Sequence, residues 1–442
     1  MKTDVLIVGS GCSALYMALH LPEDLNILMV TKKEAELSDS FLAQGGICML
    51  RNEDDYDSYF EDTMKAGHYE NDAYSVELMI KSSPDVIHDL INYGVDFERN
   101  EDGSLAFTRE GAHSQKRILY HEDITGKEIT RHLLEKVRQK KNVTLLENTP
   151  LVDLIVRGNV ALGGVIKRNN QEEKVYAKKV VLAPGRDGSA WLTKVLSNQG
   201  LKLYNNQVDI GVRVETSNIV MEEINKNLYE GKFVYNTSVG TKVRTFCSNP
   251  SGHVVIENHS GTMLANGHAY HDPKLGSKNT NFALLVSHTF SEPFNEPNEF
   301  AHEISRLANK LSNGSVIVQR YGDIKRGRRT TYKRLKEGYT EPTLPEAVPG
   351  DLGLVLPYNT MKSIIEMIEA LDNVTPGIAN EHTLLYGVEA KFYSARPKVR
   401  EGFESEIDDL YVAGDGAGLT RGLAQAGANG ILVARHIVEN IK

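Results

Sequence analysis

Val5 to Val8 is a continuous apolar run, followed at once by Gly9-Ser10-Gly11-Cys12-Ser13-Ala14 and then by "LYMALHL", apolar at helical spacing. This is G-x-G-x-x-A between a strand and a helix N-terminus, a setting that aims backbone N–H groups at a pyrophosphate. Gly9 permits the turn, Gly11 lets the backbone approach the phosphates, and Ala14 is small enough for helix and strand to pack closely. Ser13 lies in the same first turn. At the other end of the chain, "YVAGDGAGLTRGLAQAGANGILVARHI" repeats the order of strand, glycines and helix. One dinucleotide accounts for both, the first turn holding its pyrophosphate and the second its ring.

The elements around these turns belong to an ordinary globular chain. Its 442 residues suffice for two or three lobes, and 40% hydrophobic with 25% charged residues is normal for a folded protein. A net charge of −9 argues against a nucleic-acid partner. The one dense basic run, "DIKRGRRTTYKR", reads first as a solvated face and second as a local anion site. Cys12, Cys48 and Cys247 are too scattered for a disulfide framework or a zinc site, so no metal is expected. No apolar run approaches the roughly 20 residues that cross a bilayer, and a cytoplasmic location without membrane insertion is the expectation.

The second strand, "NILMV", ends in Thr31-Lys32-Lys33, where a Rossmann fold usually places an acid for the ribose; Glu34 is the nearest. The segments that follow explain this. "SDSFLAQGGICML", "YFEDTMKAGHYEND", "TREGAHSQKRILYHEDITGKEI" and "NVTLLENTPLVDLIV" resemble, in that order, the N-terminal third of the L-aspartate oxidases. Those belong to the succinate dehydrogenase and fumarate reductase flavoprotein group, which also has Thr/Ser-Lys at this place. The resemblance covers residues 1–155. It implies FAD contacts from Gly9, Gly11, Thr31, Lys32, Ser38, Ser40, Ala43, Gln44, Gly45 and Gly46, with the backbone at Val152 holding the adenine. The stretch Ser38–Gly46 contains no His or Cys to bond the flavin, so the FAD is expected to be noncovalent.

Beyond that point the chain departs from the oxidases. "VVLAPGRDG" stands where they show A-T-G-G, with Pro184 and Arg186 at the second and fourth positions; Ala183 and Gly185 remain as cofactor-side candidates. The H-P-T-A, R-D, H-Y-x-x-G-G and G-x-H-G-A-N-R blocks that carry the dicarboxylate-binding residues are missing, and only Glu110 has a counterpart. "DIGVRVE", "VRTFCSNPSGHVVIE", "TLLYGVEAKFYSARPKVR" and the final glycine segment resemble a little-characterised family of NAD(FAD)-utilising dehydrogenases. Where that family often shows C-x-C-P-G-G, only Cys247 is present. In this class the last helix returns to the first sheet. Asp415 would accept hydrogen bonds from the cofactor, and the helix starting near Gly422 and Leu423 would point its positive end at the reduced flavin.

The fold class expected is α/β: a doubly wound, Rossmann-like FAD domain with an inserted α+β substrate domain. The divisions are residues 1–212, an insertion at 213–345, and a return at 346–442. The function expected is an FAD-dependent oxidoreductase that exchanges a hydride between flavin N5 and a small organic substrate, with carboxylate-bearing compounds among the candidates. The alternatives are an L-aspartate oxidase or fumarate reductase-like enzyme, and a flavin-binding protein without turnover. Candidates for substrate chemistry are Arg244, Cys247 and Arg396, then Arg400, His253, His268 and His271. Arg396 and Arg400 could instead pair with Glu389 or Glu401. The sequence leaves the electron donor or acceptor unspecified.

Overall fold

Lys2–Val8 (β1), Cys12–His20 (α1) and Ile27–Val30 (β2) open the first unit in a computed structural model. It describes residues 1–442 apart from Gln44, His68, Glu70, Asp72, Glu110, Gly111, Ala112, Asp123, Leu228, Tyr229, Glu230, Ser260, His271, Arg421 and Lys442. The chain divides into two compact units, residues 1–205 with 394–442, and residues 206–393.

In the first unit the helices Tyr56–Ala66 (α2), Ala73–Asn92 (α3) and Thr125–Gln139 (α4) form a helical excursion. Four strands follow: Val143–Leu146 (β3), Leu151–Arg157 (β4), Val160–Arg168 (β5) and Gln171–Leu182 (β6). After helix Ser189–Asn198 (α5), the chain returns as Leu410–Val412 (β7) and Leu423–Asn440 (α6). The sheet order is β3-β2-β1-β6-β5-β4, with β7 also on β6. β1, β2, β3, β6 and β7 run parallel, while β4, β5 and the start of β6 form an antiparallel meander.

Alternation along β1 explains the layers. Val5 and Ile7 face α1, α4 and α6 in one apolar core, whereas Leu6 and Val8 pack with Leu151, Leu154, Val175 and Leu192 in another. The registers Val8↔Val30, Val8↔Leu182 and Val412↔Leu182 bring four strand ends level. The segments starting at Gly9, Thr31, Ala183 and Ala413 therefore leave one edge of the sheet together. That edge is where open parallel sheets bind ligands.

The second unit is built on a mostly antiparallel sheet. Its strand order is Val234–Asn236, Lys242–Asn249, Asn279–His288, Val208–Ser217, Leu384–Lys391, Ile317–Arg320 and Val348–Pro349. A separate hairpin joins His253–His259 to Thr262–His268. Ile210, Val212 and Val214 meet the apolar faces of helices Pro297–Leu311 and Tyr358–Leu371. The alternate residues Asp209, Arg213 and Glu215 are fully buried on the other side.

The unit extends further along the chain than the expected 213–345. Leu384–Lys391 pairs with the central strand Val208–Ser217, and Ile364, Met367 and Ile368 belong to the same core. The return to the first unit begins at Ser394 rather than near 346.

Candidate functional site

Gly9 adopts φ +123°, and a Cβ there would lie 1.9 Å from the carbonyl oxygen of Ala183. Only glycine tolerates that conformation and that approach. Ala183 in turn donates its N–H to Val8 O at 2.8 Å, locking the end of β6 to the end of β1. Gly11 caps α1 in an extended conformation, and Ala14 is completely buried behind it. The Cys12 N–H is held by Ser40 Oγ at 3.1 Å. The N–H groups of Ser10, Gly11, Ser13 and Ala14 meet no acceptor among the described residues. Four open donors at one helix start form a cradle for an anion.

The second glycine turn is physically joined to the first. Asn429, on α6, accepts from Ser13 Oγ and from Gly414 N–H, both at 3.0 Å, through one oxygen. Gly430 makes room for the contact, since a Cβ there would lie 2.3 Å from Ser13 O. Gly422 caps α6 in extended geometry, and the next residue, Leu423, lends its carbonyl to the Cys12 thiol at 3.8 Å. Two buried polar atoms of this segment have no partner among the described residues, Asn429 Nδ2 and Thr420 Oγ1. Leaving such a group unsatisfied costs about 1–3 kcal/mol, so their arrangement calls for a polar ligand.

The segment from Ser38 to Gly46 lies over the start of α4. Ser38 Oγ accepts the Phe41 N–H at 3.3 Å, and Ala43 O accepts from Gly126 N at 2.9 Å. A side chain at Gly126 would strike Ser40 O at 2.2 Å and Ala43 O at 2.6 Å. Gly45 and Gly46 then lead into the short strand Ile47–Cys48. Gln44 and Glu110 lie outside the described residues.

At the end of β2, Thr31 is buried, receives Ser10 Oγ at 3.4 Å, and accepts Thr149 N–H on its carbonyl at 2.7 Å. That bond brings the start of β4, with the exposed Val152, beside the second strand. Lys32 is committed to Asp187 at 2.7 Å. The Asp187 carboxyl is held below its usual range by this Lys32 hydrogen bond, against the opposing effect of burial.

Gly185 has φ +70°, and its carbonyl approaches Gly416 so closely that a Cβ there would lie 2.2 Å away. Arg186 places Nη2 and Nε each 2.9 Å from Asp415 Oδ2. Asp415 thus lies in the second turn as expected, paired to the arginine that departs from the oxidase pattern.

Asn429, Asp187, Gly126 and Ser10 were not singled out from sequence. Gly126 carried one usable signal, a glycine inside the first turn of a helix; Asn429 sits in a helix interior among small residues, where nothing marks it.

The substrate candidates scatter. In the second unit, Arg244 is bound to Asp209 at 2.8 Å and stacks its guanidinium 4.8 Å from the Phe246 ring. Cys247 is exposed with φ +46°, and its carbonyl accepts from the buried Arg213 at 2.6 Å. His253 Nε2 meets Leu275 O at 2.9 Å, and His253 and His268 both contact the Tyr270 ring. His271 lies outside the described residues.

Arg396 and Arg400 belong instead to the first unit. Arg396 is exposed and pairs with Tyr204 in a two-residue bridge. Arg400 binds Asp408 at 2.9 Å, not Glu389 or Glu401. Within the second unit, Glu389 pairs with Arg213 at 3.4 Å. Several cations of the basic run are paired, Arg328 with Asp323 at 2.7 Å, Arg326 with Glu381 at 3.0 Å, and Lys325 with Glu369. Among the described residues, no group of three or more His, Cys, Asp or Glu is placed to hold a metal. No helix among them is long and apolar enough to cross a membrane.

With this geometry in place, residues 4–207 match the family of the FAD binding domain. Residues 4–207 form an FAD-binding domain. Residues 207–392, nearly the whole second unit, match the family described as FAD-dependent protein, C-terminal domain-like.

The chain resembles the L-aspartate oxidase of Clostridium perfringens, at 45% identity over 210 residues, 48% of this chain and 47% of that protein. It is 40% identical to the L-aspartate oxidase of Clostridium acetobutylicum over 199 residues, 45% of each chain. The chain thus spans about half the length of these relatives. In fold it is similar to E. coli quinol fumarate reductase, with a TM-score of 0.56 and 17% identity over 99% of this chain and 70% of that one. Mycobacterium smegmatis Sdh1 in complex with UQ1 gives 0.55 and 18% identity, covering 100% and 69%.

The cofactor is FAD, and the residues present fit it. The open N–H groups at Ser10, Gly11, Ser13 and Ala14 suit a pyrophosphate, and the unclaimed donors of Asn429 and Thr420 suit the polar atoms of a dinucleotide.

Proposed function

We propose that the protein is an FAD-dependent oxidoreductase acting on a small organic substrate. The observation that carries this reading is the bond of Asn429 to both Ser13 and Gly414, which fastens the two glycine turns into one cradle. When bound, FAD supplies the hydride chemistry at N5.

The chain's own residues do the rest. The first turn of α1 neutralises the pyrophosphate with N–H groups. The start of α6, with Leu423 and Ala424 N–H unclaimed among the described residues, offers positive potential to a developing anion. Asp415 accepts from hydroxyls of the cofactor, oriented by Arg186.

The second unit is the substrate-recognising part of this reading. It has buried charge in Arg213, Asp209 and Glu215, which fixes the shape of its central sheet. Identity to L-aspartate oxidases favours that activity as the alternative. One experiment tests both. The purified chain is denatured by acid, the released flavin is identified, and the intact holoprotein is mixed without oxygen with L-aspartate, unsaturated acids and nicotinamide reductants. Stoichiometric FAD and a flavin bleached by one of these support the reading; a colourless protein that takes up no FAD sinks it.

A further inference from the structure

Away from the glycine turns, one cluster in the first unit is built around a sulfur. Cys48 is half-buried, and its Sγ lies 3.4 Å from His113 Nε2. The other ring nitrogen of His113, Nδ1, lies 3.1 Å from Arg117 Nη1. A guanidinium only donates, so Nδ1 is the acceptor and the ring proton sits on Nε2, aimed at the sulfur.

Arg117 is itself held fast. It is completely buried and binds Asp55 at 2.7 Å, Asp62 at 2.6 Å and Ser58 at 2.7 Å. Arg51 lies 3.9 Å from Asp55, so two guanidinium groups balance two carboxylates.

Tyr59 closes another side. It is 1% exposed, with Arg117 stacked 4.9 Å from its ring and His113 edge-on at 5.7 Å. Its buried hydroxyl meets no nitrogen or oxygen acceptor among the described residues. Burial first, and then the neighbouring Cys48 sulfur, push its pKa up. Two donors therefore face Cys48, and the Tyr59 hydroxyl has no nitrogen or oxygen acceptor among the described residues. A neutral thiol is a weak acceptor, whereas a thiolate or an S–O group uses both donors.

We propose that Cys48 is a peroxide-reactive thiol, which His113 and Tyr59 hold ready to take up one oxygen as a sulfenic acid. In this step the sulfur attacks one oxygen of hydrogen peroxide. The S–O bond forms as the O–O bond breaks, sulfur loses two electrons, and the departing hydroxide leaves as water with the thiol proton. The new S–OH oxygen accepts from Tyr59, a stronger acceptor for that hydroxyl than the thiol sulfur. The other cysteines sit in different surroundings. Cys12 is fully buried, with its thiol pushed up to about 12 by burial, and Cys247 is exposed with Asn249 Nδ2 3.7 Å from its sulfur.

The test treats the FAD-loaded full chain with a few equivalents of hydrogen peroxide in the presence of dimedone and reads each cysteine peptide by mass spectrometry. Cys48 should label about tenfold faster than Cys247, despite the greater exposure of Cys247. His113→Leu should slow Cys48 labelling about tenfold, the loss of one hydrogen bond to a charged group. His113→Gln, whose amide accepts from Arg117 and donates to sulfur, should stay within about twofold of the parent. Tyr59→Phe should also slow it, and it is the decisive variant where His113→Leu does not fold. Faster labelling of Cys247, or parental rates in His113→Leu or Tyr59→Phe, would overturn the proposal.

Discussion

The side-chain oxygen of Asn429 lies 3.0 Å from the hydroxyl of Ser13, 416 residues earlier in the chain. The same oxygen takes the Gly414 N–H, so one amide sets the spacing between the two glycine turns. Asn429→Ala removes both bonds and leaves a buried N–H unpaired, a loss of about 1–3 kcal/mol. FAD affinity is expected to fall roughly ten- to a hundredfold, with Ser13→Ala weaker in effect. Flavin titration of the apoprotein measures this. Unchanged affinity in Asn429→Ala would separate the junction from the cofactor.

Glycines at the cradle should differ sharply in their tolerance of a methyl group. Gly9→Ala combines φ +123° with a 1.9 Å collision against Ala183 O, which is a cost of about 3 kcal/mol or more. Gly422 has nothing within 4 Å of a Cβ and ordinary extended backbone, so Gly422→Ala should cost less than about 1 kcal/mol. Thermal melts of the two variants decide the matter, and equal losses would mean that crowding at Gly9 relaxes.

What could be read from sequence was local. Strand, glycine and helix at residues 5–20 declare themselves within one stretch, because the turn's needs are met by adjacent residues. That Asp415 lies in a turn between a strand and a helix was legible for the same reason. Its partner Arg186 was noticed only as a departure, since pairing them requires the level ends of β6 and β7. The far limit of the second unit was missed because "TLLYGVEAK" reads like any buried strand. Only its register against Val208–Ser217 assigns it to that sheet. Buried ions such as Arg213 with Glu389 were illegible, as charged residues look solvated until a partner from another strand covers them.

Arg186 should matter through Asp415. Arg186→Ala removes the positive charge that balances Asp415 at the second turn, which leaves more negative potential beside the anionic cofactor. FAD affinity is expected to drop, more so at low ionic strength, because the pair is only partly buried. Asp415→Ala should also lower occupancy, by roughly ten- to a hundredfold if a charge-assisted bond is lost. Full occupancy in Asp415→Ala would put the ring cradle elsewhere.

Acid should unfasten the helical excursion of the first unit. Burial acts to raise the Asp55 and Asp62 carboxyls, but hydrogen bonds, from Arg117 and Ser58 to Asp55 and from the Ser114 N–H and Arg117 to Asp62, hold both below the usual range. Their folded values lie beneath the unfolded ones, so their stabilisation is present above about pH 4 and lost as pH falls through the folded values. Asp55→Asn should therefore destabilise at pH 7 by about 3 kcal/mol, yet lose less on further acidification than the parent. Melting temperatures from pH 7 to pH 3 test the sign. An equal or steeper acid loss in Asp55→Asn would contradict it.

L-aspartate is not expected to reduce the flavin at a useful rate, despite the identity to L-aspartate oxidases. Oxidising a dicarboxylate requires cations that fix both carboxylates while Cα–H faces the acceptor. In the second unit, Arg213 and Arg244 are already engaged. Arg213 is fully buried on Asn281, Glu389 and the Cys247 carbonyl. Arg244 is tied to Asp209, which also takes Tyr393 at 2.6 Å and Ser287 at 2.7 Å. Freeing either would strand a buried carboxylate, at a cost of about 3–5 kcal/mol that a weakly bound amino acid does not return. Anaerobic mixing with excess L-aspartate should leave the flavin absorbance intact for minutes. Bleaching within seconds would mean that these pairs open for substrate, and that the oxidase-like first unit is the better guide to activity.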